Sequence, residues 1–200
     1  KLELAKLHYN IDKDLETAKV EFQNILEFNP ENIIAKRYLG KINYRMKKYD
    51  DAFKIYKEVF EFLDYDDTKF LVSINFMKKN YDEVLELSSY MIRQNAQDVD
   101  ILSILFETYK NLQLYDKAIE IFEKLKFVNS KKADEYFNEY FGILLSSANF
   151  ENLRTELTKL KDDDRYRSQS AEYYFFLEYL LYGTKFKKLQ QFLPYMIKEQ

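Results

Sequence analysis

A short pattern of apolar residues recurs along nearly the whole chain, and this recurrence limits the folds that are open to it. Each copy has a small or aliphatic anchor residue, and most have large residues four and seven positions later, as in Ala52, Tyr56 and Val59. These offsets lie on one face of an α-helix. The anchors are 34, 32, 34, 35 and 36 residues apart, a period typical of stacked helical arrays. The six anchors are Ala18, Ala52, Val84, Ala118, Leu153 and Leu189.

The helix preceding Ala52 adds a second signature. Leu39 and Gly40 occur there, and Tyr49 opens the helix of Ala52. With these residues the chain resembles the tetratricopeptide repeat (TPR), a helix-turn-helix unit of about 34 residues. The resemblance implies an all-α fold, a right-handed α-α superhelix or solenoid of about six helix-turn-helix repeats. Repeats three, five and six depart from the family pattern, since Val84, Leu153 and Leu189 stand where the family usually has alanine.

The repeat length also predicts the domain organisation. Each repeat of an array buries its apolar face mainly against its neighbours, so residues 1–200 are expected to form one continuous solenoid domain. The chain starts at Lys1 within an apparent helix, which favours a fragment of a longer protein. The expected repeats cover residues 1–30, 31–64, 65–97, 98–130, 131–166 and 167–200.

Polar and helix-breaking residues predict where helices begin and end. Asp98 and Asn129 are expected N-caps, residues 64–67 an acidic link between repeats, and Gly40 a point of close helix packing. The first helix is expected over residues 1–10, followed by a turn at 10–14, and another single helix is expected over 131–147. A polar break is expected at 161–165. The last helix is expected over 185–198, and Pro194 should end or kink it.

Composition argues against several classes of function. A net charge of −3 disfavours nucleic-acid binding, which normally requires a strongly basic surface. The chain has no cysteine and a single histidine, His8, so thiolate and imidazole metal sites are not expected. The three glycines are far apart, so no phosphate-binding loop is expected. No apolar run is long enough to span a membrane. The sequence therefore predicts a protein that is not an enzyme and binds no cofactor.

The resemblance to TPR proteins implies a partner-binding groove lined by the first helix of each repeat. Positions carried over from the family place basic and aromatic residues in repeats two and three, and mostly acidic residues in repeats four and five. Such a charge-split groove would orient an extended peptide or a partner helix; the alternative is that these are ordinary solvated helix faces. Reversing the charges of Arg37, Lys41 and Lys69 is expected to weaken binding without loss of helicity. The groove residues are Arg37, Lys41, Tyr44, Arg45, Lys69, Phe76, Ser103, Glu107, Lys110, Glu135 and Asn138.

The stretch from Tyr173 to Tyr182 is apolar almost all round. Such a helix is normally buried on several sides, so either further chain covers it or it forms an oligomer or partner surface. A homo-oligomer through this C-terminal repeat is one expectation. The interface residues would be Tyr173, Tyr174, Phe176, Tyr179 and Tyr182.

These features favour a non-enzymatic scaffold or adaptor for complex assembly, which binds a protein or peptide partner in the groove or at the aromatic C-terminal repeat. The alternatives are a peptide-sensing module of a bacterial regulator and an accessory superhelical domain of an enzyme. Neither nucleic acid nor direct membrane insertion is expected. The sequence leaves the compartment open between the cytoplasm and a bacterial periplasm or envelope.

Overall fold

A computed structural model describes residues 1–146, 150–160 and 167–182. The chain separates into two compact units, Lys1–Asn111 and Leu112–Gln200. The described residues are helical with short turns and contain no β-strand, which confirms the predicted all-α helical repeat fold. One continuous domain with six repeat boundaries remains a prediction.

The first unit contains seven α-helices, which alternate as the first and second helices of successive repeats. A π-helical turn, His8–Asp12, follows the first helix, and a 3₁₀ turn, Phe60–Phe62, follows the fourth. The helices are α1 (Leu2–Leu7), α2 (Leu15–Phe28), α3 (Ile33–Arg45), α4 (Tyr49–Glu58), α5 (Tyr65–Met77), α6 (Tyr81–Gln94) and α7 (Val99–Asn111).

The backbone repeats with the same period as the sequence. Lys13, Lys47, Lys79 and Gln113 have φ values of 54°, 60°, 60° and 58°, and each lies five residues before an anchor. The left-handed conformation turns the chain sharply between the two helices of a repeat. L-amino acids other than glycine rarely adopt it, so its recurrence shows that the same turn is built each time.

The five anchor residues that the structure describes are buried: Ala18, Ala52, Val84, Ala118 and Leu153. Ala18 and Phe22 are fully buried in a cluster with Ala35 and Leu39. Tyr56 is fully buried in the next cluster. Gly40 faces its ring, because a Cβ atom at residue 40 would lie 2.6 Å from Tyr56 Cε1. The expectation that Gly40 permits close helix packing is therefore confirmed.

Side-chain caps fix the starts of the first helices. Asn32 Oδ1 accepts from the Ala35 N–H at 3.0 Å, and Asp98 Oδ1 accepts from the Ile101 N–H at 3.0 Å, which confirms the predicted cap at Asp98.

The prediction of an acidic link at residues 64–67 was wrong. Asp64 and Asp67 form a capping box that opens α5, and the run is its first turn, because the carboxylates accept hydrogen bonds from free N–H groups there.

The N-terminal repeat also departs from the prediction. The expected first helix over residues 1–10 ends as an α-helix at Leu7, and the chain continues in the π-helical turn to Asp12. The expected turn at 10–14 is therefore confined to Lys13 and Asp14. Asp14 then caps α2 by accepting from the Thr17 N–H at 3.0 Å.

The described part of the second unit contains α8 (Tyr115–Val128), α9 (Ser130–Glu135), α10 (Phe137–Ser146), α11 (Phe150–Leu160) and α12 (Arg167–Tyr182). Asn129 caps α9 by accepting from the Lys132 N–H at 3.0 Å, as predicted. The prediction of a single helix over residues 131–147 was wrong, because the chain leaves helical geometry at Tyr136. The polar break at 161–165 and the last helix at 185–198 with Pro194 lie outside the described residues.

Candidate partner-binding site

Three first helices lie side by side in the first unit, since α3 contacts α5 and α5 contacts α7. We call the surface formed by their outward residues the first-helix face. The three helices carry nine of the eleven predicted groove residues; Glu135 and Asn138 belong to the second unit. The nine residues are Arg37, Lys41, Tyr44, Arg45, Lys69, Phe76, Ser103, Glu107 and Lys110.

The two cations of repeat two are held by acidic residues of repeat three. The Arg37 guanidinium donates through Nη2 to Asp64 and through Nε to Asp67. Lys41 Nζ lies 3.3 Å from Asp67 Oδ1. Asp67 is completely buried, and the Lys41 side chain is only 14% exposed. These cations therefore join α3 to the start of α5.

The same arrangement returns one repeat later. Lys69 Nζ lies 3.2 Å from Asp98 Oδ2 and 2.6 Å from Asp100 Oδ2, and the Tyr65 hydroxyl donates to Asp98 at 2.8 Å. Lys69 precedes its anchor by 15 residues, as Arg37 does, and Asp98 precedes its anchor by 20, as Asp64 does. The pairs thus form a repeating contact between successive first helices.

These pairs correct the picture of a basic half-groove. The cations Arg37, Lys41 and Lys69 face the carboxylates of Asp64, Asp67, Asp98 and Asp100. Most of their charge is compensated within the protein. Reversing the three cations would place negative charge against these carboxylates, so the variants would lose stability as well as any binding.

The environment of these carboxylates shifts their pKa values in different directions. Burial raises the pKa of Asp67, and the neighbouring Arg37 and Lys41 only partly oppose it. Burial acts in the same sense on Asp98, but the Ile101 N–H, the Tyr65 hydroxyl and the Lys69 ammonium together hold its pKa below the ordinary value. Asp98 therefore stays ionised at neutral pH beside Lys69.

Aromatic side chains of α3 and α5 contact other rings of the first unit. The Tyr44 ring lies 4.6 Å from the Phe70 ring, and Phe76 lies 6.2 Å from Tyr81, both measured between centroids. Both Tyr44 and Phe76 remain partly exposed, and Met77 beside Phe76 is 45% exposed. The face therefore offers apolar contact area as well as compensated charge.

The remaining predicted groove residues also contact other residues of the chain. Arg45 lies over the Tyr9 ring at 4.3 Å. Buried Ser103 donates to the Val99 carbonyl oxygen at 2.8 Å, and Lys110 pairs with Glu107 at 2.7 Å. In the second unit, Glu135 pairs with Lys132, and Asn138 accepts from the Tyr173 hydroxyl at 3.2 Å.

The residues of the predicted C-terminal interface differ in how far they are buried. Tyr173 stacks on Phe141 with centroids 4.1 Å apart, and Tyr174 is 8% exposed. Both therefore contribute to packing within the second unit. Phe176 is 48% exposed. Tyr179 and Tyr182 lie in α12, but their side chains are outside the described part. An interface at this helix stays a prediction.

No group of three or more His, Cys, Asp or Glu residues is placed to hold a metal ion in the described part of the chain. His8 Nδ1 contacts Glu21 Oε2 at 2.8 Å. No helix in the ranges that the structure describes has the length and apolar character needed to cross a bilayer.

Sequence reasoning identified the cations of the first-helix face and missed their partners. Asp64 and Asp98 were assigned to links and caps, although each also binds a cation of the previous repeat. A signal was available, since both precede an anchor by 20 residues. Comparing equivalent positions of adjacent repeats would have revealed the opposite charges.

Solved structures with the same fold are found at low sequence identity. YrrB, described as a TPR protein with an unusual peptide-binding site, is 13% identical with a TM-score of 0.66, over 88% of this chain and 84% of that one. MamA is 16% identical with a TM-score of 0.64, over 90% and 92%. A tetratricopeptide repeat protein from Parabacteroides merdae is 16% identical with a TM-score of 0.61, over 96% and 76%. The sequence matches no protein-family model and no curated protein.

Proposed function

We infer from the tetratricopeptide-repeat fold of this chain that it is an interaction scaffold, and we propose that it binds a protein partner on the first-helix face. The observation that carries the proposal is the composition of this face. The helices that form it carry partly exposed aromatic and methionine side chains, Phe76 and Met77 among them, together with ion pairs that are already compensated.

This composition favours a particular kind of partner. Because Arg37, Lys41 and Lys69 are engaged by internal carboxylates, an acidic tail would have to compete with those contacts. The Asp100 side chain, by contrast, is 68% exposed and keeps the capacity to accept hydrogen bonds. We therefore propose an extended peptide or partner helix that places apolar side chains on Tyr44, Phe76 and Met77 and donates to Asp100. Peptide binding by YrrB, which shares the fold, supports this class of ligand.

Peptides selected from a displayed random library against the full chain would test the proposal. Affinity would be measured by fluorescence polarisation for the wild type and for the double variant Phe76→Ser/Met77→Ser. We expect the variant to bind about tenfold more weakly or worse, since it removes apolar contact area. The matched control is Val20→Ser, because Val20 is 54% exposed on a second helix.

Circular dichroism would show that the variants remain folded. Equal loss in the double variant and in Val20→Ser would mean that the effect is not specific to the first-helix face. Unchanged affinity of every selected peptide for the folded double variant would place binding elsewhere and contradict the proposal.

A further inference from the structure

The turn ends of the first helices present a row of equivalent residues along the first unit. Ile11, Arg45, Met77 and Asn111 each precede a left-handed residue by two positions, and all four are exposed. Because α3 contacts α5 and α5 contacts α7, the last three of them lie at the same end of neighbouring helices. We call these four residues the turn-end row.

Repeat one extends this row beyond the residues that the sequence assigned to the groove. The Tyr9 ring in the π-helical turn lies 5.2 Å from the Tyr38 ring and 4.3 Å from the Arg45 guanidinium, measured to ring centroids. The π-helical turn therefore lies against α3, at the end where Arg45 is placed. Its Ile11 is 69% exposed, and Leu7, just before the turn, is 43% exposed.

Three successive repeats carry exposed or partly exposed apolar side chains at this end. Leu7 and Ile11 belong to repeat one, and Tyr44 belongs to repeat two. Phe76 and Met77 belong to repeat three, and the equivalent positions of repeat four hold a lysine and an asparagine. The first three repeats thus offer one apolar patch each, and the series of patches ends at repeat four.

The distance between these patches selects the spacing of a ligand that contacts all three. Packed helices have axes roughly 8–10 Å apart. An extended peptide advances about 3.3 Å per residue, so three of its residues span roughly 10 Å and two span only about 7 Å. An α-helical ligand advances about 1.5 Å per residue and would need about seven residues for the same distance. The period of apolar residues in a ligand therefore reports its conformation.

Polar side chains alternate with the patches and favour the extended conformation. Asn10 and Asn111 are exposed at the same turn ends, and Arg45 lies in the row between Ile11 and Met77. The Arg45 guanidinium lies over the Tyr9 ring, which leaves the N–H groups at its edge able to donate. An extended peptide has backbone N–H and C=O groups that need such partners, whereas a helix pairs its own.

We propose that the partner-binding surface continues into repeat one through Leu7 and Ile11, and that its ligand is an extended peptide with an apolar side chain at every third residue. Three successive apolar side chains of the ligand would contact the patches of repeats one, two and three in turn. This inference rests on the proposed function. It deepens that function by fixing the conformation and the apolar period of the ligand and by adding a repeat to the site.

Three synthetic peptides of equal length and composition would test the period. Each carries three leucines in an acetylated chain of serine and glutamine, spaced at every third, every second or every seventh residue. Fluorescence polarisation with the full chain would measure their affinities up to about 1 mM protein. We expect the every-third peptide to bind at least about tenfold more tightly than the other two.

Substitution in repeat one tests whether it belongs to the site. Leu7→Ser/Ile11→Ser should weaken binding of the every-third peptide about tenfold, since it removes one of the three patches. The matched control is Val20→Ser/Phe62→Ser, which removes two apolar side chains that are 54% and 59% exposed elsewhere in the first unit. This control should leave the affinity unchanged, and circular dichroism would show that both variants remain folded.

Two shortened peptides, each lacking one terminal leucine, test the order of the contacts. One of them should no longer respond to Leu7→Ser/Ile11→Ser, and the other should no longer respond to Phe76→Ser/Met77→Ser. Such coupling is expected only between groups that touch each other. It therefore assigns each end of the ligand to one end of the row.

The proposal would be overturned if the every-third peptide bound no more tightly than the other two, or did not bind at all. It would also be overturned if the folded variant Leu7→Ser/Ile11→Ser kept full affinity, or if both shortened peptides responded equally to both variants. None of these results would contradict binding on the first-helix face, provided that peptides selected from the library still lose affinity in Phe76→Ser/Met77→Ser. Loss of that effect would instead contradict the proposed function itself.

Discussion

At the scale of the residue, the left-handed turns are the least expected feature. Lys13, Lys47, Lys79 and Gln113 all adopt positive φ without being glycine. An L-residue in this conformation is destabilised by about 1–2 kcal/mol, because its Cβ approaches the following carbonyl oxygen. The repeats therefore contain strain at equivalent positions, and a glycine at these positions would remove it.

We expect Lys79→Gly to increase the free energy of unfolding. Relief of the left-handed strain outweighs the greater freedom of glycine in the unfolded chain, which leaves a net gain of roughly 0.5 kcal/mol. Urea unfolding followed by circular dichroism would measure it. The matched control, Lys54→Gly, lies on the exposed face of α4 and should lose about 1 kcal/mol. A loss of similar size in both variants would be inconsistent with a strained turn at residue 79.

Residues differ in how far their roles follow from sequence. Ala52 and Gly40 are predictable, because a small residue at a fixed repeat position implies close helix packing, and the structure places Gly40 against the Tyr56 ring. The left-handed backbone conformation of the lysines is less predictable. Lysine has no preference for positive φ, and only its fixed distance from each anchor indicates the turn.

At the scale of the element, acidic residues at the starts of first helices have two roles. Asp98 caps α7 through Oδ1 and accepts from Tyr65 and Lys69 of α5 through Oδ2. Composition alone suggested that the equivalent run at residues 64–67 was an acidic link between repeats. That interpretation was wrong because the run opens a helix and pairs with the previous repeat. Composition does not indicate such partners, whereas a comparison of equivalent positions in adjacent repeats does.

We expect Asp98→Asn to destabilise the chain by about 1–2 kcal/mol near neutral pH. Asparagine retains an oxygen for the cap but loses the charge that Lys69 and Tyr65 contact. Because the folded-state pKa of Asp98 is lowered, its contribution is present above the unfolded value of about 4 and is lost as the pH falls through the lower folded value.

The difference between wild type and Asp98→Asn should therefore narrow as the pH falls below about 4. Urea midpoints at neutral and acidic pH would measure this, with Asp66→Asn as a control at an exposed position of the same face. If the difference in urea midpoint between the wild type and Asp98→Asn stays constant with pH, the substitution acts through a change of side-chain shape rather than through the loss of charge.

At the scale of the whole molecule, the period of the anchors was sufficient to predict a helical repeat. It was not sufficient to predict two compact units, because Ala52 and Ala118 follow the same pattern on either side of Asn111. Recurrence describes what each repeat shares with its neighbours.

The first unit should fold without the rest of the chain. Two clusters of buried residues lie entirely within it, and α7 contacts both α5 and α6. Stability in repeat proteins is approximately a sum of local and nearest-neighbour contributions. We therefore expect residues 1–111 to give a helical circular dichroism spectrum and a cooperative urea transition.

A shorter piece, residues 1–95, tests the role of α7 in this unit. It lacks the buried side chains of Ile101, Leu102, Leu105 and Phe106 and the contacts of Asp98 with Tyr65 and Lys69. Each apolar side chain stabilises by about 1.5–3 kcal/mol when buried, so the piece should unfold at a clearly lower urea concentration or fail to fold. Equal midpoints for the two pieces would mean that α7 adds nothing to the first unit, and a non-cooperative transition of residues 1–111 would mean that the unit depends on residues beyond it.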